Sequence, residues 1–360
     1  MDASGFELLL HGIDTLQVAY YLTQQRAGEW DFGKLLQTRE NLRALGSRDG
    51  APLTLGGVPF VLFSHGTGSG YPFLLACEDF KIECGEFNSP PFFVTFRSQA
   101  LWRESAPFLH AKFLQWAARV GFVPCNPERI SRVDFAFDYH LPTVDFDEDC
   151  FLTRMHKDSQ HRENGRVQTF TFGQGDIVLR IYDKVAEIEQ QSAKAWFFLL
   201  WERDQDVWRI EWQIRKKLLR GFGICTFEDL GKLQGDLLRY LCTEQATLRV
   251  RGEDTNRSRW ALHPLWEDLQ GQIRALDQLG VCRLDGKNVA LEERLFRCAQ
   301  SVYGYAKGFA ATHCVRKGTE GLPFEEAFRL LGNRVATLHD PLSWGIDVEK
   351  KRLAIESGEW

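Results

Sequence analysis

Polar and apolar residues alternate with period two in three stretches of this chain: ISRVDFAFDYH (Ile130 to His140), DIVLRIYDKVAE (Asp176 to Glu187) and WRIEWQIRK (Trp208 to Lys216). Successive side chains of a strand point to opposite faces, so each stretch predicts a strand with one apolar and one polar face. In the first, Arg132, Asp134, Ala136 and Asp138 share a face, with Val133, Phe135 and Phe137 behind them. In the second, Arg180, Tyr182 and Lys184 oppose Ile181. The third alternates most clearly, with Arg209, Glu211, Gln213 and Arg215 opposite Trp208, Ile210, Trp212 and Ile214.

Before these stretches, FELLLHGID, PFVLFSHG, PFLLACEDFKIEC and PPFFVTFRSQ read as strands separated by turn residues. TLQVAYYLTQQ, FGKLLQTRENLRAL and HAKFLQWAARVGF carry apolar residues at three- and four-residue spacing and are assigned as helices. After about Gly223 the pattern turns helical, in TFEDLGKLQGDLLRYL, PLWEDLQGQIRALDQLG, ALEERLFRCAQSVYGYAKGFAA and PFEEAFRLLGNRVATL. The expected fold is α+β: a central antiparallel sheet flanked by helices, then a helical C-terminal part. We divide the chain into residues 1–243 and 244–360, although no repeat or linker marks the boundary.

Of the 360 residues, 44% are hydrophobic and 26% charged, as in a folded chain rather than a disordered one. The longest apolar run, Ala195 to Trp201, is far short of the roughly 20 residues that span a bilayer. The N-terminal stretch has an acidic Asp2 where a secretory leader would be basic. A cytoplasmic protein with no membrane partner is expected. The nine scattered cysteines include no CxxC pair and read as reduced, small apolar side chains. A net charge of −5 excludes a global basic field, though not local basic faces. There is no HxH pair, HExxH helix or GxSxG elbow, and HGTGSG (His65 to Gly70) lacks P-loop spacing and reads as a turn. No nucleotide cofactor is expected.

If the three strands are neighbours, their polar faces merge into one patch suited to phosphoryl transfer. Carboxylates are what Mg²⁺ or Mn²⁺ requires, and such an ion polarises a scissile phosphate. Asp134 and Asp138 lie about 13 Å apart along a strand rising ~3.3 Å per residue, so one ion does not take both. Asp134 with Glu211 is the preferred ligand pair, and Asp138 is left for a supporting or base role. Tyr182 is the candidate nucleophile, with Arg180 and Lys184 neutralising the phosphate. A half-solvated sheet face whose charges pair across strands shows the same alternation.

The runs RVDFAFD (Arg132 to Asp138), RIYDKVAE (Arg180 to Glu187) and RIEWQIR (Arg209 to Arg215), in this order, resemble the Rep_trans replication initiation factor family. That family includes rolling-circle plasmid initiators, replication proteins of filamentous phages and relaxases of conjugative elements. FFVTFRSQALW (Phe92 to Trp102) is similar to its earlier strand motif, with Ser98-Gln99 where the family usually has Gly-Gln. The resemblance covers roughly Phe6 to Leu241. It implies a nicking site on the sheet: a metal-dependent, sequence-specific single-strand nick at an origin, with a tyrosine joined to the 5′-phosphate and a free 3′-OH.

By this resemblance Tyr182 matches the family tyrosine, Arg180 and Lys184 its basic neighbours, and Asp134, Asp138, Glu187 and Glu211 its acidic positions. The chain departs from the family upstream, where TFTFGQGD (Thr169 to Asp176) replaces a tyrosine-containing TxYxGS run. A nucleophile belonging to that run would be lacking here. Arg209 and the basic run Arg215, Lys216, Lys217 and Arg220 are placed as DNA-phosphate contacts. Arg249, Arg251, Arg257 and Arg259 form a second basic stretch that would touch duplex DNA. Implied partners are origin DNA as a hairpin or single strand, a host helicase loaded after nicking, and a second copy in a homodimer. The rival functions are a non-catalytic origin- or partner-binding module and a phosphodiesterase using metal-bound water.

Overall fold

The computed structural model describes residues 5–26, 29–46, 50–163, 166–281 and 286–357. Among the described residues eleven strands join in one antiparallel sheet, and its two central members are long. These are β1 (Glu7–Gln24) and, after β2 (Ala51–Leu55), β3 (Val58–Leu62), β4 (Phe73–Ala76), β5 (Phe80–Cys84) and β6 (Phe92–Phe96), the strand β7 (Phe122–His140). Beyond the short β8 (Phe151–Thr153) come β9 (Asp158–Glu163), β10 (Arg166–Phe172), β11 (Ile177–Asp183) and β12 (Val207–Arg215). The order across the sheet is β2-β3-β4-β5-β6-β1-β7-β12-β11-β10-β9. A separate pair joins β8 to β13 (Ala246–Leu248).

The helices are α1 (Phe32–Ala44), α2 (Ser98–Arg103), α3 (Ala106–Arg119), α4 (Lys184–Glu187), α5 (Trp196–Trp201), α6 (Lys216–Gly221), α7 (Phe227–Tyr240) and α8 (Pro264–Arg274). Three more follow: α9 (Gly286–Lys317), α10 (Phe324–Ala336) and α11 (Pro341–Ser357). The α+β class and the antiparallel sheet therefore agree with the sequence pattern. Among the described residues no helix is long and apolar enough to cross a membrane.

The segment TLQVAYYLTQQ, expected as a helix, is the second half of β1. Leu16, Val18, Tyr20 and Leu22 are buried at every second position. The same apolar set also satisfies helical spacing, but β6 and β7 flank it and supply its backbone partners. The stretch read as one strand at PFLLACEDFKIEC is the hairpin β4–β5.

One face of the sheet carries the main core. Val133, Phe135 and Phe137 of β7 and Ile210, Trp212 and Ile214 of β12 join Leu109, Phe113 and Trp116 of α3 in one buried cluster. A smaller cluster on the other face collects Ile188, Phe197, Trp201 and Val207, with Trp102 packed against it. The apolar run AWFFLLW thus forms a helical cover, α5, over one part of the polar face.

The chain forms two compact units, residues 1–286 and 287–360. This division falls later than 243/244 because β13 pairs with β8 and α8 packs on α7, which ties residues 246–274 to the sheet unit. In the second unit, α9 to α11 leave Tyr305, Val315, Leu338, Leu342 and Trp344 exposed.

Candidate functional site

The strand register brings the three polar faces together. On β11 and β12, Arg180 lies opposite Glu211 and Tyr182 opposite Arg209. On β12 and β7, Arg209 lies opposite Asp138, Glu211 opposite Ala136, and Gln213 opposite Asp134. Thr169 and Thr171 of β10 extend the face opposite Tyr182 and Arg180. On its other side β1 adds Gly12 opposite Ala136. A Cβ at Gly12 would stand 3.2 Å from the Trp102 ring, so the bare glycine lets Trp102 approach the sheet.

The patch divides into a buried part and an open part. In the buried part, the Arg209 guanidinium donates from Nε to Asp138 Oδ1 at 2.6 Å and from Nη2 to Asp138 Oδ2 at 2.8 Å. Its Nη1 donates to Asp14 Oδ1 at 2.9 Å. Arg209 and Asp138 are both 0% exposed. Phe197 and Trp102 stack on the guanidinium, at 4.6 and 5.6 Å from their centroids. The Trp201 indole donates to Asp138 and the Trp102 indole to Asp14. Burial disfavours the Asp14 carboxylate, but Arg209, Lys194 and Lys184 outweigh it and hold the group well below the usual range.

This arrangement corrects two expectations. Arg209 is not a DNA contact, because the α5 cover and the sheet enclose it. Asp138 is not a metal ligand, because both its oxygens are taken by Arg209 and Trp201. Asp14 was missed by sequence reasoning. It is the extra residue in a bulge between Ile13 and Thr15, at the end of a segment read as a strand giving way to a helix.

The open part is a cavity of about 350 Å³. β11 and β12 contribute Arg180, Tyr182 and Glu211, and α4 contributes Glu187. The Tyr182 hydroxyl donates to Glu211 Oε2 at 2.9 Å. Arg180 Nη1 donates to Glu211 Oε1 at 3.1 Å and to Gln213 Oε1 at 3.3 Å. Burial, reinforced by the Glu211 charge, raises the Tyr182 phenol well above its ordinary value. Tyr182 is therefore protonated near neutrality, with Glu211 as its hydrogen-bond acceptor.

Lys184 is 2% exposed and lies outside the cavity wall. Its ammonium donates to Glu187 at 2.5 Å and sits 5.4 Å from the Tyr182 and Phe197 ring centroids. Burial and the neighbouring Arg209 charge lower its pKa despite Glu187. It faces Glu187 rather than the space a phosphate would occupy.

The four expected metal ligands do not close around one ion. Asp134 is held by both ends of the Arg132 guanidinium. Burial pushes its carboxyl up to about 6 against that arginine, with Glu211 and Asp14 adding to the rise. Among the described residues no three acidic, histidine or cysteine side chains converge. Glu187 and Glu211 both line the cavity, but Glu211, like Asp138, has both oxygens engaged, by Arg180 and Tyr182, while Glu187 Oε2 accepts from Lys184 and Ser192.

Arg215, Lys216 and Lys217 are exposed where β12 passes into α6, and Arg220 is half-buried one turn on. In the second basic stretch, Arg251 pairs with Asp147, Arg257 with Asp149 and Arg259 with Asp254. Those arginines carry local acidic partners, so their face is not a bare cationic surface.

The fold and site define an α+β chain whose open antiparallel sheet carries a tyrosine, carboxylate and arginine cavity. No family model matches the chain, and no curated protein matches it. Among solved structures it is similar to a rolling circle replication initiator protein from Geobacillus stearothermophilus, with 18% identity and a TM-score of 0.42. The match covers 76% of this chain and 98% of that one. A likeness of this degree assigns neither a site nor an activity.

Proposed function

We propose that this chain is a single-strand DNA nicking and joining enzyme that starts rolling-circle replication or transfer, with Tyr182 as nucleophile. The observation that carries the reading is the Tyr182 hydroxyl bonded to Glu211 on the wall of a cavity that also holds Arg180. The order of the three motifs in the sequence adds to it.

In the proposed step Glu211 accepts the phenolic proton while the Tyr182 oxygen forms a bond to the scissile phosphorus. The bond from phosphorus to the 3′-oxygen breaks, leaving a 5′-phosphotyrosyl link and a 3′-oxygen. That oxygen gains the proton Glu211 took, so the exchange balances and runs backward on rejoining. Arg180, held in place by Gln213, turns its guanidinium to the equatorial phosphate oxygens, where charge builds up. Lys184 positions Glu187 rather than touching DNA. Glu211 has both oxygens engaged by Tyr182 and Arg180 and is left as the base, so Mg²⁺ or Mn²⁺ would be held at Glu187 with the substrate phosphate and would polarise that phosphate. Arg215, Lys216, Lys217 and Arg220 neutralise backbone phosphates leading to the cavity.

The test is incubation with hairpin and single-stranded oligonucleotides from the chain's own genetic neighbourhood, with Mn²⁺ or EDTA, read on a denaturing protein gel. A slower protein band is expected. Cleavage without that band selects metal-bound water as the attacking group, and binding without cleavage selects a non-catalytic DNA-binding module.

A further inference from the structure

The cavity is longer than the reacting groups need. Beyond Arg180 and Tyr182 its wall passes to Thr169, Thr171 and Gln168 of β10 and to Gln190 and Gln191 on the π-helical turn Ile188–Ser192. His161 of β9, opposite Thr169, lines the same half, and of these residues only that histidine can carry a charge. The others offer amides and hydroxyls, each able to donate and accept.

Gln168 reaches the cavity through a break in strand alternation. Val167 packs against the main core and Phe170 is buried in it, so a regular strand would send Gln168 to the core side with Phe170. Instead, β10 pairs Val167 with Arg162 and Thr169 with His161, leaving Gln168 as the extra residue of a bulge. Gln168 and Thr169 then both line the cavity. A bulge that turns a side chain toward a site is a recurrent device next to active centres. The opposite wall is also irregular, since the π turn ends at Ala193 in the left-handed region, with φ of 53°. Two backbone departures thus place glutamines on the same cavity.

We infer that this half of the cavity is a subsite for one unpaired nucleobase beside the scissile phosphate, read by Gln168 and Gln191. The inference rests on the proposed nicking function for its placement, but its chemistry is separate. Glutamine amides match the mixed donor and acceptor edge that an extruded base presents, and the adjacent Arg180 would hold that nucleotide's phosphate. A charged ligand group would find no counter-ion among Gln168, Thr169, Thr171, Gln190 and Gln191. A purely apolar one would strand their polar atoms.

The experiment measures equilibrium binding of fluorescent pentanucleotides dA5, dC5, dG5 and dT5, by anisotropy at fixed low salt. The full-length protein is compared with its Gln168→Ala/Gln191→Ala variant. Wild type is expected to prefer one base by about tenfold or more, and the variant to bind all four within about twofold of one another. An unchanged ranking in the variant overturns the inference, as does the absence of discrimination by wild type. Folding of the variant is verified by an unchanged thermal transition. If it is disturbed, the milder pair Gln168→Glu and Gln191→Glu is used, which is expected to shift the preferred base. The assay needs no strand cleavage. Loss of the covalent band with base discrimination intact would reject the nicking reading alone, whereas a covalent band without discrimination would reject the subsite alone.

Discussion

Tyr182 and Glu211 touch across a diagonal. Tyr182 lies opposite Arg209 and Glu211 opposite Arg180, yet the phenol bonds Glu211, while Arg209 is drawn to Asp138 and Asp14. The buried arginine and its two carboxylates thus leave Glu211 to face the tyrosine and the cavity.

Glu211→Gln tests the base role. The mutation removes the proton acceptor but keeps the side-chain shape, so covalent adduct formation at pH 7 should slow about 10²- to 10⁴-fold. The Tyr182 phenol stays protonated well above its ordinary value, so without a base the reactive phenolate grows about tenfold per pH unit on the alkaline side. The variant's rate should climb with pH in that proportion, while wild type climbs less steeply. Single-turnover rates between pH 7 and 9 settle it, and equal slopes would remove Glu211 from that role.

Arg209→Met tests the structural reading of the buried triad. The change leaves Asp138 and Asp14 facing each other without their cation, which costs about 3 to 5 kcal/mol where a buried pair is broken. Urea unfolding should show that loss. A variant of wild-type stability with weakened DNA binding would instead restore Arg209 as a phosphate contact.

Asp134 makes stability depend on pH. Its proton is bound near pH 6 in the folded chain, against an ordinary value of 3.8. Between about pH 6 and pH 4 the folded state therefore holds more proton than the unfolded state, and stability from this group rises as pH falls through that window. Asp134→Asn lacks the increment. Urea midpoints at pH 4, 5, 6 and 7 should show wild type gaining on the variant toward pH 4, and a constant difference would contradict the shift.

Arg215→Ala, Lys216→Ala and Lys217→Ala combined should weaken single-stranded DNA binding without sequence preference. Each cation that neutralises a phosphate of a single strand releases a counter-ion, so removing all three should make the slope of log K against log salt shallower by about 2. Binding isotherms from 50 to 300 mM salt measure this. An unchanged slope would place the DNA elsewhere.

The patch on β7, β11 and β12 was legible because alternation over seven or more residues leaves little choice of face, and RIEWQIR shows it without a break. Which polar residues would be covered was not legible. Arg209 and Glu211 look alike in pattern and both are buried, at 0% and 8% exposure, yet the docking of Trp196–Trp201 over one end of the face closes the first off while the second lines the cavity. Asp14 and Gln168 escaped for a shared reason: each is the extra residue of a bulge, where the period-two signal breaks. β9 escaped because DSQHRE has no apolar face to reveal it. The start of β7 was missed because FVPCNPER carries prolines and charges, although it pairs with β1.

The most direct test of the account is to find where DNA becomes attached. After reaction with oligonucleotides that give a slower protein band, the adduct is digested with protease and nuclease, and the modified peptide is sequenced by mass spectrometry. The account predicts a nucleotide on Tyr182 and no band in Tyr182→Phe, with DNA binding by that variant within a few-fold of wild type. A nucleotide on another tyrosine, or an unchanged band in Tyr182→Phe, would contradict it.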